Sequence, residues 1–499
     1  MHPMQEGSSR KIKVAIIGGG IGGLTCVLAL KHCEYLEIDL YEAAPVLSEL
    51  GAGIAIWERA WEILQRLNLA EAFEALLSKP RDNEPALAFV ERKGDQSDGF
   101  DFFHVVIKGG PITYHRADFQ RTLLAAIPAE MRARFHLSQR LVSYKEREVS
   151  APSPSELSDD SPLHPVELLF ADGTKASCDV LIGADGVKSA VRRQMMTDVA
   201  RHVRDGSWNS LQNNNTGEPL RIEEEAAEYE RCIEPMFSGW IAYRGLVPTS
   251  VLRALMPEHR AILAPTHYWG KDKHLVAYPI SQGKTVNIVA YVSRRDQEGM
   301  PFEGPWVTDC PRAELESEYA RWEDEVRVLI QHIEKPPTRW AIHSVRPLKT
   351  YISRHVVLLG DAAHAMTPHQ GAAAGQAIED GYVLASLLSS GSCTPGTIPT
   401  LMRAYDTVRR PFGNAVQAAC RRQGMHYDMN WPGAQEDPAW PHSFDDIKAE
   451  GDESVTRERL QGVMEDVVRG WEWEWTTSAE VERRKALEIL NSTLSVGTN

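Results

Sequence analysis

Gly18, Gly20 and Gly23 occupy the three glycine positions of a G-x-G-x-x-G motif within Gly18-Gly-Gly-Ile-Gly-Gly23. In that spacing the first glycine permits a tight turn, the second lets backbone approach a pyrophosphate, and the third packs helix on strand. Glu42 follows at about the 20-residue separation from which a carboxylate accepts hydrogen bonds from an adenosine ribose. Together these residues suit the binding of a dinucleotide. Further on, Arg116 in Ile112-Thr-Tyr-His-Arg-Ala-Asp-Phe119 is placed to meet an anion, with Asp118 near the start of an apparent helix. Asp361 ends the apolar run Val356-Val-Leu-Leu-Gly360 and offers a carboxylate to a ribityl hydroxyl. Gly371 to Gly375 is small enough to bring a helix N-terminus against a flat ring, and its dipole favours negative charge at the pyrimidine end of a reduced flavin. His364 and His369 lie close to Asp361, but flavin binding accounts for that segment, and no metal site is expected.

These groups need elements to hold them. Lys11 to Ile17 is a β-branched run that suits a buried parallel strand, Leu24 to Leu30 reads as a helix, and Glu37 to Tyr41 reads as a second strand. The uncharged run Val14 to Leu30 has the look of a membrane span. Its five clustered glycines make it strand, turn and helix instead. Gly239 to Val247, Lys273 to Ile280 and Thr285 to Val292 alternate apolar and polar residues, predicting antiparallel strands of a second sheet that floors a cavity. Glu148 to Pro165 is rich in Ser, Pro and Asp and reads as a surface insertion in a hairpin. Arg201 to Glu230, with Asn213-Asn-Asn215, reads as a mobile polar excursion. Leu401 to Gln423 predicts a basic amphipathic helix and Glu480 to Leu490 a charged one. Between them, Trp471-Glu-Trp-Glu-Trp475 either docks on the body or caps the active site or a dimer partner.

Of 499 residues, 43% are hydrophobic and 25% charged, which fits a soluble globular protein with a sizeable core. A formal net charge of -15, from 54 basic and 69 acidic residues, argues against nucleic-acid or anionic-lipid partners. Seven scattered cysteines without a C-x-x-C pair fit a reducing compartment, so a cytoplasmic location and no membrane attachment are expected.

The chain resembles the class A flavoprotein aromatic hydroxylases, most closely the salicylate hydroxylase-like monooxygenases. The resemblance rests on Gly18 to Gly23, on Cys178-Asp-Val-Leu-Ile-Gly-Ala-Asp-Gly-Val-Lys-Ser-Ala-Val-Arg192, and on Gly360-Asp361 with Pro368-His-Gln-Gly371. It implies an α/β fold in which an FAD-binding Rossmann-like domain of the GR2 type interleaves with an antiparallel-sheet substrate domain and ends in C-terminal helices. The expected FAD-binding parts are 11–85, 111–200 and 346–395. The substrate-sheet parts are 86–110 and 201–345, with a polar insertion over 201–232, and 396–499 is the helical C-terminal segment. The resemblance also implies that Glu42, Ala55, Arg116, Asp361 and Ala374 contact FAD with Gly53 close by. Asp185 and Gly186 would support the pyrophosphate and a transient NADH or NADPH, for which no second glycine motif is present.

A flavin C4a-hydroperoxide attacks only an electron-rich ring, so deprotonating the substrate phenol is the lever. Each unit of lowered phenol pKa corresponds to about 1.4 kcal/mol. By the same resemblance Arg244, Tyr278 and His369 surround the substrate, and Arg244 suits either a phenolate or a carboxylate. The sharpest reading is salicylate converted to catechol with decarboxylation, using NAD(P)H and O2, by a monomer or homodimer. A hydroxylase of a polyketide phenol or resorcinol aldehyde shares every motif. A non-hydroxylating flavin NAD(P)H oxidase or redox-sensing protein is the alternative of another class.

Overall fold

The apolar run Ile12–Ile17 lies inside a six-stranded sheet ordered Ile352–Ser353, Val356–Leu358, Val180–Gly183, Ile12–Ile17, Leu36–Tyr41 and Phe135–His136. All neighbours are parallel except the antiparallel edge hairpin Ile352–Ser353 with Val356–Leu358. Strands covered on both faces need continuous apolar side chains, and Val14, Ile16, Val180, Leu181 and Val356 are all buried. Helix Ile21–Leu30 packs on helix Ala373–Leu388, so the segments carrying the first and last cofactor motifs share one core. The computed structural model describes residues 10–47, 53–77, 81–82, 84–147, 164–208 and 219–496.

Val14 to Leu30 is strand, turn and helix, and no helix among the described residues is long and apolar enough to cross a membrane. Residues 148–163 of the Ser/Pro-rich insertion lie outside the described residues. The strands on either side, Leu141–Glu146 and Val166–Phe170, pair antiparallel. Residues 201–208 and 219–230 of the polar stretch Arg201 to Glu230 depart from the excursion predicted for it. Helix Ala190–Arg204 runs into it and helix Pro219–Glu230 closes it, while Asn213–Asn215 lies outside the described residues. Val203, Trp208, Ala226 and Tyr229 bury into the core of the six-stranded sheet. Arg204 bridges the two helices through Glu223 at 3.0 Å and Glu230 at 2.6 Å. The polarity that suggests a loop is therefore the outer face of two amphipathic helices.

A second sheet has eight strands, ordered Val307–Asp309, Thr338–Ser344, Met236–Pro248, Thr285–Ser293, Lys273–Ile280, Thr266–Gly270, Pro85–Lys93 and Phe100–Lys108. Among the described residues its only parallel pair is Thr266–Gly270 with Pro85–Lys93. Period-two alternation divides its side chains. Ile241, Tyr243, Val247, Leu275 and Ile288 face helices Arg312–Glu318 and Asp324–Gln331, in a core with Leu315, Trp322 and Leu329. Trp240, Ala242, Val289 and Tyr291 share the other face with aromatic residues from the C-terminal segment. That segment contains the 30-residue helix Ile398–Tyr427 and helices Arg457–Arg469 and Glu480–Val496.

Candidate functional site

The strand Ile12–Ile17 delivers the chain to Gly18 at φ +108°, where a Cβ would stand 2.2 Å from the Ala184 carbonyl oxygen. A side chain there meets backbone, so only glycine permits the turn. Gly23 lies beneath, where a Cβ would meet the Gly18 carbonyl oxygen at 2.1 Å, and it lets helix Ile21–Leu30 close on the strand. Glu42 accepts the Gly19 and Ala44 N–H groups, each at 2.8 Å, and so ties the glycine turn to the end of the second strand. Asp185 follows strand Val180–Gly183. It accepts from Ser189 Oγ at 2.5 Å and from the Ala190 and Val191 N–H groups at 2.7 and 3.2 Å, while burial pushes its carboxyl up. Gly18, Gly20, Glu42, Arg116, Asp185, Gly186 and Asp361 line one cleft of about 650 Å³. Bare turn backbone, an open helix N-terminus and separated carboxylates fit the pyrophosphate and polyol parts of FAD.

The cleft meets a smaller cavity of about 170 Å³ lined by Gly53, Ala55, Arg116, Arg244, Tyr278, His369, Gly371 and Ala374. Arg116 and Arg244 line both spaces. The floor is a cross-strand row of the eight-stranded sheet. Arg244 is opposite Val289, Val289 opposite Val276, and Val276 opposite His267. In the adjoining row Asn287 is opposite Tyr278. The strand Gly53–Ile56 passes over this floor, and a Cβ on Gly53 would stand 2.3 Å from the Tyr278 hydroxyl. Gly371 takes φ +66°, and helix Ala373–Leu388 starts just beyond it.

The polar groups of the cavity are held in distinct states. The Arg244 guanidinium carbon lies 4.4 Å from the Trp340 ring, and Nε has no hydrogen-bonding partner among the described residues. Burial and nearby Arg116 lower its pKa, opposed by Tyr291 and Tyr278, but an arginine stays charged. Burial pushes the Tyr278 hydroxyl up to about 12, against the pull of Arg244, so it remains a donor. His369 packs with ring centroids 4.8 Å from Trp240, 5.0 Å from His274 and 5.1 Å from Tyr291. Burial and the neighbouring His274 hold its pKa well below the usual imidazole value, opposed by the Cys420 carbonyl, so the ring is neutral. Neither of its nitrogens makes a hydrogen bond of ordinary geometry among the described residues. Against its back lies Gly424, where a Cβ would meet Nδ1 and Cε1 at 2.4 Å.

Several lining residues escape sequence reasoning. Trp57, Phe89, His267, Tyr291 and Asn287 all face the cavity. Two-residue alternation about Val289 is a signal for Asn287 and Tyr291. Nothing local marks the others. Trp471 both docks and lines the cavity: its Nε1 donates to the Gln370 carbonyl at 3.1 Å and its ring meets Trp57 edge-on at 5.0 Å. His364 is turned away toward Asp380 at 2.6 Å. Burial raises the Asp380 carboxyl, but His364 and Arg409 outweigh it and hold it at about 2. Arg409 and Arg59 both pair with Glu379, which makes this a buried ionic network behind helix Ala373–Leu388.

Residues 11–419 match the model of the FAD binding domain family. The chain is 32% identical over 459 residues to a salicylate hydroxylase of Pseudomonas putida, covering 88% of this chain and 94% of that protein. It is 30% identical over 487 residues to a 6-methylsalicylate 1-monooxygenase of Aspergillus terreus, covering 96% and 93%. A solved salicylate hydroxylase–substrate complex superposes with a TM-score of 0.71 at 30% identity, covering 96% of this chain and 98% of that one.

Proposed function

We propose, for a chain that belongs to the FAD-dependent aromatic monooxygenases, that it hydroxylates a small phenolic acid at the expense of NAD(P)H, taking a salicylate-type ring to a catechol with loss of the carboxylate. The observation that carries this reading is the pairing, across one small cavity, of the cation Arg244 with the neutral imidazole His369. Gly18, Gly20, Glu42, Arg116, Asp361 and the turn Gly371–Ala374 would hold FAD, with Gly53 and Ala55 beside the ring and Asp185 and Gly186 near the pyrophosphate. Bound FAD supplies the two-electron chemistry with NAD(P)H and the activation of O2.

The protein's own part is to make the ring electron-rich and keep the site dry. His369, neutral and without a hydrogen-bond partner among the described residues, takes the phenol proton once Arg244 and Tyr278 have lowered the phenol pKa toward its own. Arg244 and the Tyr278 hydroxyl stabilise the oxygen left charged, and the low-dielectric surroundings strengthen both interactions. Trp57, Phe89 and Trp471 wall the cavity against water. The similarity to a 6-methylsalicylate monooxygenase favours a second reading within the same chemistry, a ring-substituted phenol of secondary metabolism.

The test is NADH and NADPH oxidation by the purified flavoprotein with and without salicylate, following catechol, carbon dioxide and peroxide. Stimulated oxidation with stoichiometric catechol and carbon dioxide is the expected result. Stimulation that yields peroxide alone makes salicylate an effector and moves the search to substituted phenols. No stimulation removes the salicylate reading.

A further inference from the structure

The row Arg244–Val289–Val276–His267 crosses four neighbouring strands on the cavity face. At about 4.8 Å per strand, its ends are roughly 14 Å apart at the backbone. A cation stands at one end, an imidazole at the other, and two valines make an apolar floor between them. His267 is fixed from behind by Glu91, its cross-strand neighbour, which is fully buried. Its Nδ1 lies 3.0 Å from one Glu91 oxygen, and Trp269 Nε1 donates to the other at 2.7 Å. The Phe89 ring stacks on the imidazole at 4.2 Å and 13°.

A carboxylate only accepts hydrogen bonds, so the Nδ1 facing it carries the proton, and in the neutral imidazole Nε2 is then the lone pair offered to the cavity that the ring lines. Flipping the ring by 180° would preserve the stack on Phe89 but put Cδ2 in place of Nδ1 and so strip a hydrogen bond from a buried carboxylate. The far end of the cavity is therefore an acceptor with negative charge behind it, the opposite of the Arg244 end. We infer that His267 determines specificity by accepting a hydrogen bond from a second hydroxyl on the aromatic acid, placed across the ring from the group held by Arg244. This rests on the proposed hydroxylation of a phenolic acid and narrows it to dihydroxybenzoate-type rings. A hydroxyl or amino group suits this end, whereas a carboxylate or an ether oxygen there faces a lone pair.

The test is titration of the FAD-loaded protein, read by perturbation of the flavin absorbance, with salicylate, 2,4- and 2,5-dihydroxybenzoate and their 4- and 5-methyl ethers. The two isomers cover anchoring of either the carboxylate or the phenolate at Arg244. One dihydroxy acid should bind about tenfold tighter than salicylate and than its own ether, a difference of one decade in Kd. In His267→Asn the amide nitrogen keeps the Glu91 hydrogen bond while the Nε2 acceptor is gone, so the ratio should collapse to within about twofold. Glu91→Gln offers an N–H to Nδ1, turns Nε2 into a donor and should erase the preference for hydroxyl over ether. A wild-type ratio near one, or a ratio unchanged in both variants, overturns the assignment while salicylate binding upholds the hydroxylase reading. Absence of any flavin perturbation by every acid, salicylate included, overturns both.

Discussion

The glycine-turn cleft and the smaller cavity meet at Arg116 and Arg244, yet they are built in opposite ways. The cleft is mostly turn backbone at the ends of parallel strands, with Glu42, Asp185 and Asp361 one to three residues beyond three of them. Its requirements are local, because a tight turn or a close phosphate approach is met within a few consecutive residues. The cavity takes its floor from four strands, its cover from Gly53–Ile56 and Pro368–Ala374, and one wall from Trp471. Its properties belong to a register, in which residues far apart in the chain become neighbours because strands pair one way and not two residues off. The cleft should therefore fail by losing FAD, and the cavity should fail in turnover while FAD stays bound.

The largest expected effect is on the cleft. Gly18→Val places a β-branched side chain at φ +108° against the Ala184 carbonyl, and the purified protein should lose most of its 450 nm flavin absorbance. Next, Arg244→Met removes the cavity cation proposed to face the substrate anion. It should lower kcat/KM for substrate-stimulated NAD(P)H oxidation by about a hundred- to a thousandfold with flavin content unchanged. His369→Asn should lower kcat by about a hundredfold, the usual scale for a lost general base, and the loss should shrink at alkaline pH where the phenol ionises itself. Because burial keeps the His369 pKa well below 6.5, the wild-type rate should be flat between about pH 6 and 8, without an imidazole step.

Smaller effects sharpen the contrast. Gly424→Ala suits its helix but drives a methyl into the His369 ring, so kcat should fall by about tenfold with Tm preserved. A comparable loss of FAD in that variant would show that the two regions are not separable there. The smallest effect is acid destabilisation. Burial depresses the pKa of His369 and His426, the latter to about 3. Below about pH 6.5 the unfolded chain binds protons that the folded chain refuses, so stability falls as pH falls. By pH 5.5 the loss is about 1 kcal/mol for each such histidine, measurable as a decrease in Tm. Both pack against tryptophans on the cavity side of the eight-stranded sheet, so tryptophan fluorescence from that side should change before flavin is released.

The cleft was legible in the chain because each of its motifs is contiguous and each glycine answers a backbone demand. Arg244 and Tyr278 were legible as polar residues on alternating strands, with their meeting at one cavity inferred from family resemblance. His267 was not, since His267 and Glu91 are 176 residues apart and nothing near either residue announces the pair. Trp471 left two readings open because a docked tryptophan and a cavity wall carry the same local signature. Arg201 to Glu230 misled through its charge, for Arg204 spends that charge on glutamates of the facing helix.

By itself, then, the sequence determined the parallel nucleotide-binding strands, the glycine turn, the carboxylates that follow the strands and the alternating strands of the second sheet. These depend on side-chain periodicity and backbone sterics over a few residues. Only the tertiary structure decided which faces of those strands meet, that His369 stands neutral against Gly424, and that His267 closes the far end of the cavity. Those outcomes depend on strand register and on low-dielectric burial, which exist only once distant segments have packed together.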